Sequence, residues 1–111
     1  MAEPTLVTVP DVADALKVDV LAVRHLIERG ELLAVRGADG VLRIPSEFIA
    51  QGAVAKRLPG VIALLRDGGY DDAAALAWLF TDDDSLPGTP AQALAEDRGT
   101  EVTRRAQALA W

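Results

Sequence analysis

The sequence predicts a mainly helical protein carrying one small β-hairpin, with two short helices and the hairpin in the first half and a compact helical second half. Three observations point there. Two runs with apolar residues at helical spacing, Val9 to Leu16 and Val20 to Arg29, are separated by only three residues. After Gly30 the apolar period changes from 3.6 to 2, and two short β-like runs flank Gly37-Ala-Asp-Gly40. From Leu58 onward the pattern is helical again, punctuated by Gly, Pro and Asp.

Taken in order, Thr8-Val-Pro-Asp11 has the form of a helix start. Thr8 stands as the cap, Pro10 in the first turn, and Asp11 three residues after the cap, near the positive end of the dipole. This helix ends near Leu16-Lys17-Val18. Asp19 then caps a second helix, Val20 to Arg29, and Gly30 stops it as a left-handed residue. On that helix Val20, Val23, Leu26 and Ile27 form the predicted buried stripe; Leu21, His25, Glu28 and Arg29 project opposite, with Arg24 at the flank. In the hairpin, pairing residue 36 with 41 puts Leu33, Val35, Leu42 and Ile44 on one face. Ala34, Arg36, Val41 and Arg43 fall on the other, so both arginines are expected to face outward together. Pro45-Ser46-Glu47 opens a short third helix around Phe48-Ile49, and Gln51 to Ala55 reads as a weakly patterned connector. Four helical pieces follow. One starts at Pro59 and stops at Gly68-Gly69; the next is capped by Asp71 or Asp72 and runs through Phe80. A third opens with the capping box Thr89-Pro-Ala-Gln92, and the last runs from Glu101 to Trp111. The expected division is residues 1–50, a connector 51–57, and a helical domain 58–111.

Composition narrows the function. Half of the 111 residues are apolar, enough for a core without staples, and there is no cysteine to supply disulfides, thiolate metal sites or a thiol nucleophile. The longest apolar stretch, Ala73 to Phe80, is too short to cross a bilayer, and Met1-Ala-Glu-Pro lacks the basic start of a secretion signal. A soluble cytoplasmic protein is expected. The net charge of −6 is uneven: residues 1–57 hold seven Lys/Arg against eight acids, and residues 58–111 hold four against nine. A near-neutral first half can still bind DNA if its cations converge on one face. His25 is the single histidine, too few for a structural zinc site, and Asp82-Asp-Asp84 lacks the ligand spacing of a calcium loop. Neither serine lies in a nucleophile motif, so no catalytic residue, cofactor or metal is expected. Trp78, with Leu76 and Leu79, is expected in the core of the helical half, and Trp111 tucked back against it.

The string Thr8-Val9, Val12-Ala13, Leu16, Val18, Val23-Arg24, Leu26-Ile27, Gly30 and Leu32, followed by the Arg36 to Ile44 hairpin and Pro45, resembles the MerR/excisionase group of winged helix-turn-helix domains. The second half resembles the C-terminal domain of a small actinobacterial DNA-binding protein family with the same N-terminal module. Leu58-Pro-Gly60, Leu65, Asp67-Gly-Gly-Tyr70, Trp78-Leu-Phe-Thr81 and Arg104-Arg-Ala-Gln-Ala108 carry that match. A fainter likeness links Trp78-Leu79 to Thr89-Pro90 with C-terminal domains of bacterial antitoxins.

The first resemblance implies that helix two enters the major groove of duplex DNA and that the wing contacts the flanking backbone. Arg24 falls at the group's backbone-contacting arginine, and Arg36 and Arg43 are wing contacts. With the outward residues of helix two and its turn, the candidate DNA-binding set is Lys17, Leu21, Arg24, His25, Arg29, Arg36 and Arg43. Arginine suits phosphate because its planar fork bonds two oxygens at once. Two positions depart from the group: Asp19 stands where Ser or Thr usually caps, and Leu21-Ala22 stand where polar residues are usual. Leu21 can offer only apolar contact, for example to a thymine methyl. The expectation is a transcriptional regulator or nucleoid-associated protein. Two alternatives remain open: an antitoxin-like adaptor using the acidic half for a protein partner or self-association, and an excisionase-type DNA-bending factor.

Overall fold

In a computed structural model of the chain, residues 5–83, 86 and 88–110 are described. The expectations for Met1–Pro4, Asp84, Ser85 and Trp111 lie outside these residues. The order is β1 (Leu6–Thr8), α1 (Val9–Leu16), α2 (Val20–Glu28), β2 (Val35–Arg36), β3 (Leu42–Pro45), a 3-10 turn (Ser46–Phe48), β4 (Ile49–Ala50), β5 (Ala53–Val54), α3 (Leu58–Asp67), α4 (Asp72–Leu79), α5 (Pro90–Ala95) and α6 (Gly99–Ala110).

Local chemistry fixes the helix starts. The Thr8 hydroxyl accepts the Asp11 N–H at 3.3 Å while the Asp11 carboxylate accepts the Thr8 N–H at 3.1 Å, a reciprocal capping box. The backbone bond from Thr8, and then its side-chain bond, lower the Asp11 pKa from the ordinary carboxylate range. Lys17 ends α1 in the left-handed region, φ 58°. Asp19 accepts the Ala22 N–H at 2.8 Å, and Gly30, at φ 75°, stops α2. Gly30 is also held by space: a Cβ there would collide with the Arg66 guanidinium, which bonds Asp72 at 2.8 Å and so links α3 to α4 beside the end of α2. Asp71 and Thr89 cap α4 and α5 through the Ala74 and Gln92 N–H groups.

The wing differs from its expected form. β2, β3 and β1 make one antiparallel sheet in the order β1-β3-β2. Arg36 pairs with Leu42 and Val35 with Arg43, one residue out of the expected register. Gly40 at φ 79° and the Asp39 carboxylate, which accepts the Val41 N–H at 3.1 Å, shape the turn, and the Val41 carbonyl accepts the Gly37 N–H at 3.0 Å in the same register. The other edge of β3 is fixed by β1, with Val7 opposite Ile44 and Thr8 opposite Arg43. Cross-strand partners share a face, so a slip of one residue puts Arg36 with Leu42 and Arg43 with Val35, on opposite faces. The two arginines therefore do not face outward together.

Three further expectations are corrected. The third helix is a 3-10 turn ending at Phe48, and Ile49 already belongs to β4. The connector contains a second hairpin, β4 against β5, whose two turn residues Gln51 and Gly52 both have positive φ, 53° and 77°, as a tight mirror-image turn requires. The last helix begins at Gly99.

The core is one cluster. Val12, Val23, Leu32, Leu33, Ile44 and Phe48 from the first half join Leu58, Ile62, Leu65, Leu79, Leu94 and Val102 from the second. The Phe48 and Phe80 rings meet with centroids 5.8 Å apart, α5 packs on the 3-10 turn, and α3 packs along α6. Trp78, Leu76 and Tyr70 are partly buried against this core, and Leu79 is fully buried. Val20, expected in the buried stripe of α2, is exposed, whereas Val23 of the same stripe is fully buried. Among the described residues no helix is long and apolar enough to cross a membrane.

Candidate nucleic-acid interface

The exposed face of α2 is built by helical spacing alone. Leu21, Arg24, His25 and Glu28 stand at i, i+3, i+4 and i+7, and all four are exposed. Lys17, also exposed, sits in the turn ahead of this face. No ion pair joins Lys17 or Arg24 to a carboxylate among the described residues, whereas Arg29, at the far end of α2, is bonded to Glu31 at 2.8 Å. A cation already held by a neighbouring carboxylate adds little to the field seen by an approaching phosphate.

The two wing arginines are held differently. Arg36 donates to the Gly40 carbonyl at 2.8 Å, which holds the side chain across the turn, and among the described residues no carboxylate pairs with it. Arg43 makes a two-pronged ion pair with Asp39, at 2.8 Å and 3.2 Å. The Arg43 bond, with the Val41 N–H, lowers the Asp39 pKa to about 2. The same pair raises the Arg43 pKa. Gly37 makes room for it, since a Cβ there would lie 2.8 Å from Asp39 Oδ1 and 2.9 Å from Arg43 Nη1.

Between the start of α1, α2 and the wing lies a cleft of about 250 Å³. Thr8 and Pro10 form one wall, Gly40 and Leu42 another, and both Arg24 and Arg36 line it. The structure thus brings Arg24 and Arg36 to one concave surface, and Leu21 and His25 stand beside Arg24 on the exposed face of α2 without lining it. It sets Arg29 and Arg43 apart, each already paired to an acid. Asp39 is the residue that sequence reasoning missed. Its signal in the sequence is a carboxylate four residues before an arginine across a Gly-bounded turn. Among the described residues no cluster of three or more His, Asp or Glu side chains is placed to hold a metal.

Two short helices in a tight turn, with a three-stranded sheet presenting its hairpin beside the second helix, define a winged helix-turn-helix protein. The remaining helices pack on that unit through a shared core. The chain belongs to the Rv2175c family: residues 1–49 match the family described as "DNA-binding protein Rv2175c, wHTH domain", and residues 55–110 match "Rv2175c C-terminal domain of unknown function". A relative in Mycobacterium tuberculosis, named DNA-binding protein Rv2175c, is 43% identical over 122 residues, covering 98% of this chain and 82% of the relative. The NMR structure of Rv2175c superposes with a TM-score of 0.86 at 38% identity, covering all of this chain and 84% of that one.

Proposed function

We propose that this protein binds duplex DNA, with α2 in the major groove and the wing on the flanking backbone, as a transcriptional regulator or nucleoid-associated factor. The observation that carries the reading is the cleft shared by Arg24 and Arg36, two guanidinium groups on separate elements that no carboxylate among the described residues pairs with. Their planar forks suit phosphate oxygens. Lys17 adds a third cation ahead of α2, and His25 lies one position beyond Arg24 on the exposed face. The name and the two-domain match of the mycobacterial relative support the same reading. Arg43 contributes to it only when Asp39 releases it, and Arg29 only when Glu31 does. Residues 1–50 then act as the reading head and the acidic residues 58–111 as its support, offering a surface for self-association or a protein partner. A reading head this small buries little DNA, so adjacent sites or a second copy would be needed for tight binding.

The test is fluorescence anisotropy of a labelled duplex across a salt series, with Arg24→Ala/Arg36→Ala alongside. Neutralising three phosphates predicts a slope of log affinity against log salt of about −2.7, and the double variant should flatten it by about 1.8. No binding at low salt, or a slope indifferent to both arginines, would overturn the proposal and favour the adaptor reading, which the Asp39–Arg43 and Glu31–Arg29 pairs already suit. A bend in the bound duplex would select the excisionase-type alternative.

A further inference from the structure

The leading end of α2 offers a partner carbon where hydrogen-bonding side chains would be expected. Recognition helices present their N-terminal residues to base edges. Here those residues are Val20, Leu21 and Ala22, preceded by Val18 and Asp19. Leu21 is 59% exposed, the most exposed large apolar side chain among the described residues, and Val18 and Val20 beside it are 43% and 37% exposed. Asp19 commits a carboxylate oxygen to the Ala22 N–H. Scattered exposed apolar residues need no explanation, but three within four positions at the tip of one helix form a patch.

The patch continues the cationic surface. Leu21 lies one helical turn before Arg24 on the same face of α2, and Arg24 shares its cleft with Arg36. Backbone phosphates held by those two arginines therefore bring the floor of the groove towards Leu21. Of the groups that base pairs display in the major groove, only the thymine C5-methyl is apolar.

We infer that Leu21, flanked by Val18 and Val20, reads thymine methyl groups, so that A·T pairs are selected where the first turn of α2 meets the groove. This rests on the DNA-binding reading above. It differs from that reading in assigning sequence preference to apolar contact, with the arginines supplying affinity that is indifferent to sequence.

The experiment uses the full chain and a duplex of alternating adenine and thymine, so that a methyl is present at every base pair and no target sequence need be known. The same duplex with uracil in place of thymine pairs identically and lacks only the methyls. Wild-type protein should bind the uracil duplex about fourfold more weakly for each methyl lost from contact. Leu21→Ala, at an exposed position that leaves the core intact, should bind the two duplexes nearly equally. Equal affinity of the wild type for both duplexes, with salt-dependent binding retained, overturns methyl reading and leaves the DNA-binding proposal standing. An equal loss on uracil in wild type and Leu21→Ala also overturns it, since the loss then belongs to the duplex. Failure to bind either duplex at low salt overturns both proposals. Sedimentation of the two proteins completes the test: if Leu21→Ala converts a dimer to a monomer and leaves the thymine-to-uracil ratio unchanged, the patch belongs to a second copy.

Discussion

Replacing Asp39 by Asn should strengthen DNA binding, and by an amount that salt controls. In the folded protein Asp39 holds the Arg43 guanidinium by two bonds, 2.8 Å and 3.2 Å long, so the pair presents no net charge to a phosphate. The substitution removes the negative charge and keeps an oxygen able to accept the Val41 N–H, so the turn is preserved. The Arg43 and Asp39 side chains are 33% and 52% exposed, so the pair contributes modestly to stability, and the melting temperature at neutral pH should fall only slightly. The wing gains one positive charge. If Arg43 then engages one more phosphate, the slope of log affinity against log salt steepens by about 0.9, from about −2.7 to about −3.6. The advantage of Asp39→Asn over wild type should then be about 3.5 times larger at 50 mM salt than at 200 mM. The assay is anisotropy on one duplex at four or more salt concentrations, with Asp39→Asn/Arg43→Ala as control, which should lose the added slope. An unchanged slope in Asp39→Asn would refute the reasoning, because it would show that freed Arg43 does not reach the backbone.

Acid should lower the stability of the protein modestly, in a window set by its paired carboxylates. Asp39 is lowered to about 2, and Asp11 and Glu96 are lowered in the same direction, by Thr8 and by Arg98 with Gln92 respectively. Their stabilisation is fully present above the ordinary carboxylate pKa near 4 and is lost as pH falls through the lower folded values, so thermal melts should decline between about pH 4 and 2. Asp39→Asn should flatten that decline, and a decline unaltered by it would count against this assignment. Phe48→Ala removes a fully buried ring at the junction of the two halves and should cost about 3–5 kcal/mol in urea unfolding. It should still give one transition reported alike by probes in both halves; two separated transitions would contradict a shared core. Gly30→Ala imposes a side chain at φ 75° and should cost at least about 1–2 kcal/mol. Adding Arg66→Ala should recover only the part due to the collision with its guanidinium, and full recovery would show that the backbone conformation was not the constraint.

Helix boundaries were legible wherever the determining contact spans three or four residues. The Thr8–Asp11 box, the Asp19 cap, the Gly30 stop, and the Asp71 and Thr89 caps are all of this kind. The exposed residues of α2 were legible for the same reason, apart from Val20. The hairpin was legible as a hairpin but not in register. The side-chain bond from Asp39 to Val41 and the docking of β1 on the far edge of β3 decide the register, and the pattern of apolar residues suggested the other one. Strand β1 itself is three residues long, and nothing near it in the chain marks it. The Gln51-Gly52 turn, within the stretch expected as a weakly patterned connector, was not legible: glutamine is a rare host for positive φ.

Composition, capping chemistry and helical period by themselves determined a helical protein with one wing, and located the cations of its first half. Tertiary structure alone decided which of those cations share one surface. A one-residue slip turned Arg36 towards the cleft it shares with Arg24, and left Arg43 on the opposite face beside Asp39. Neither outcome could be read from residue types, because the side-chain period of a strand is two and its register is set by partners distant in the chain.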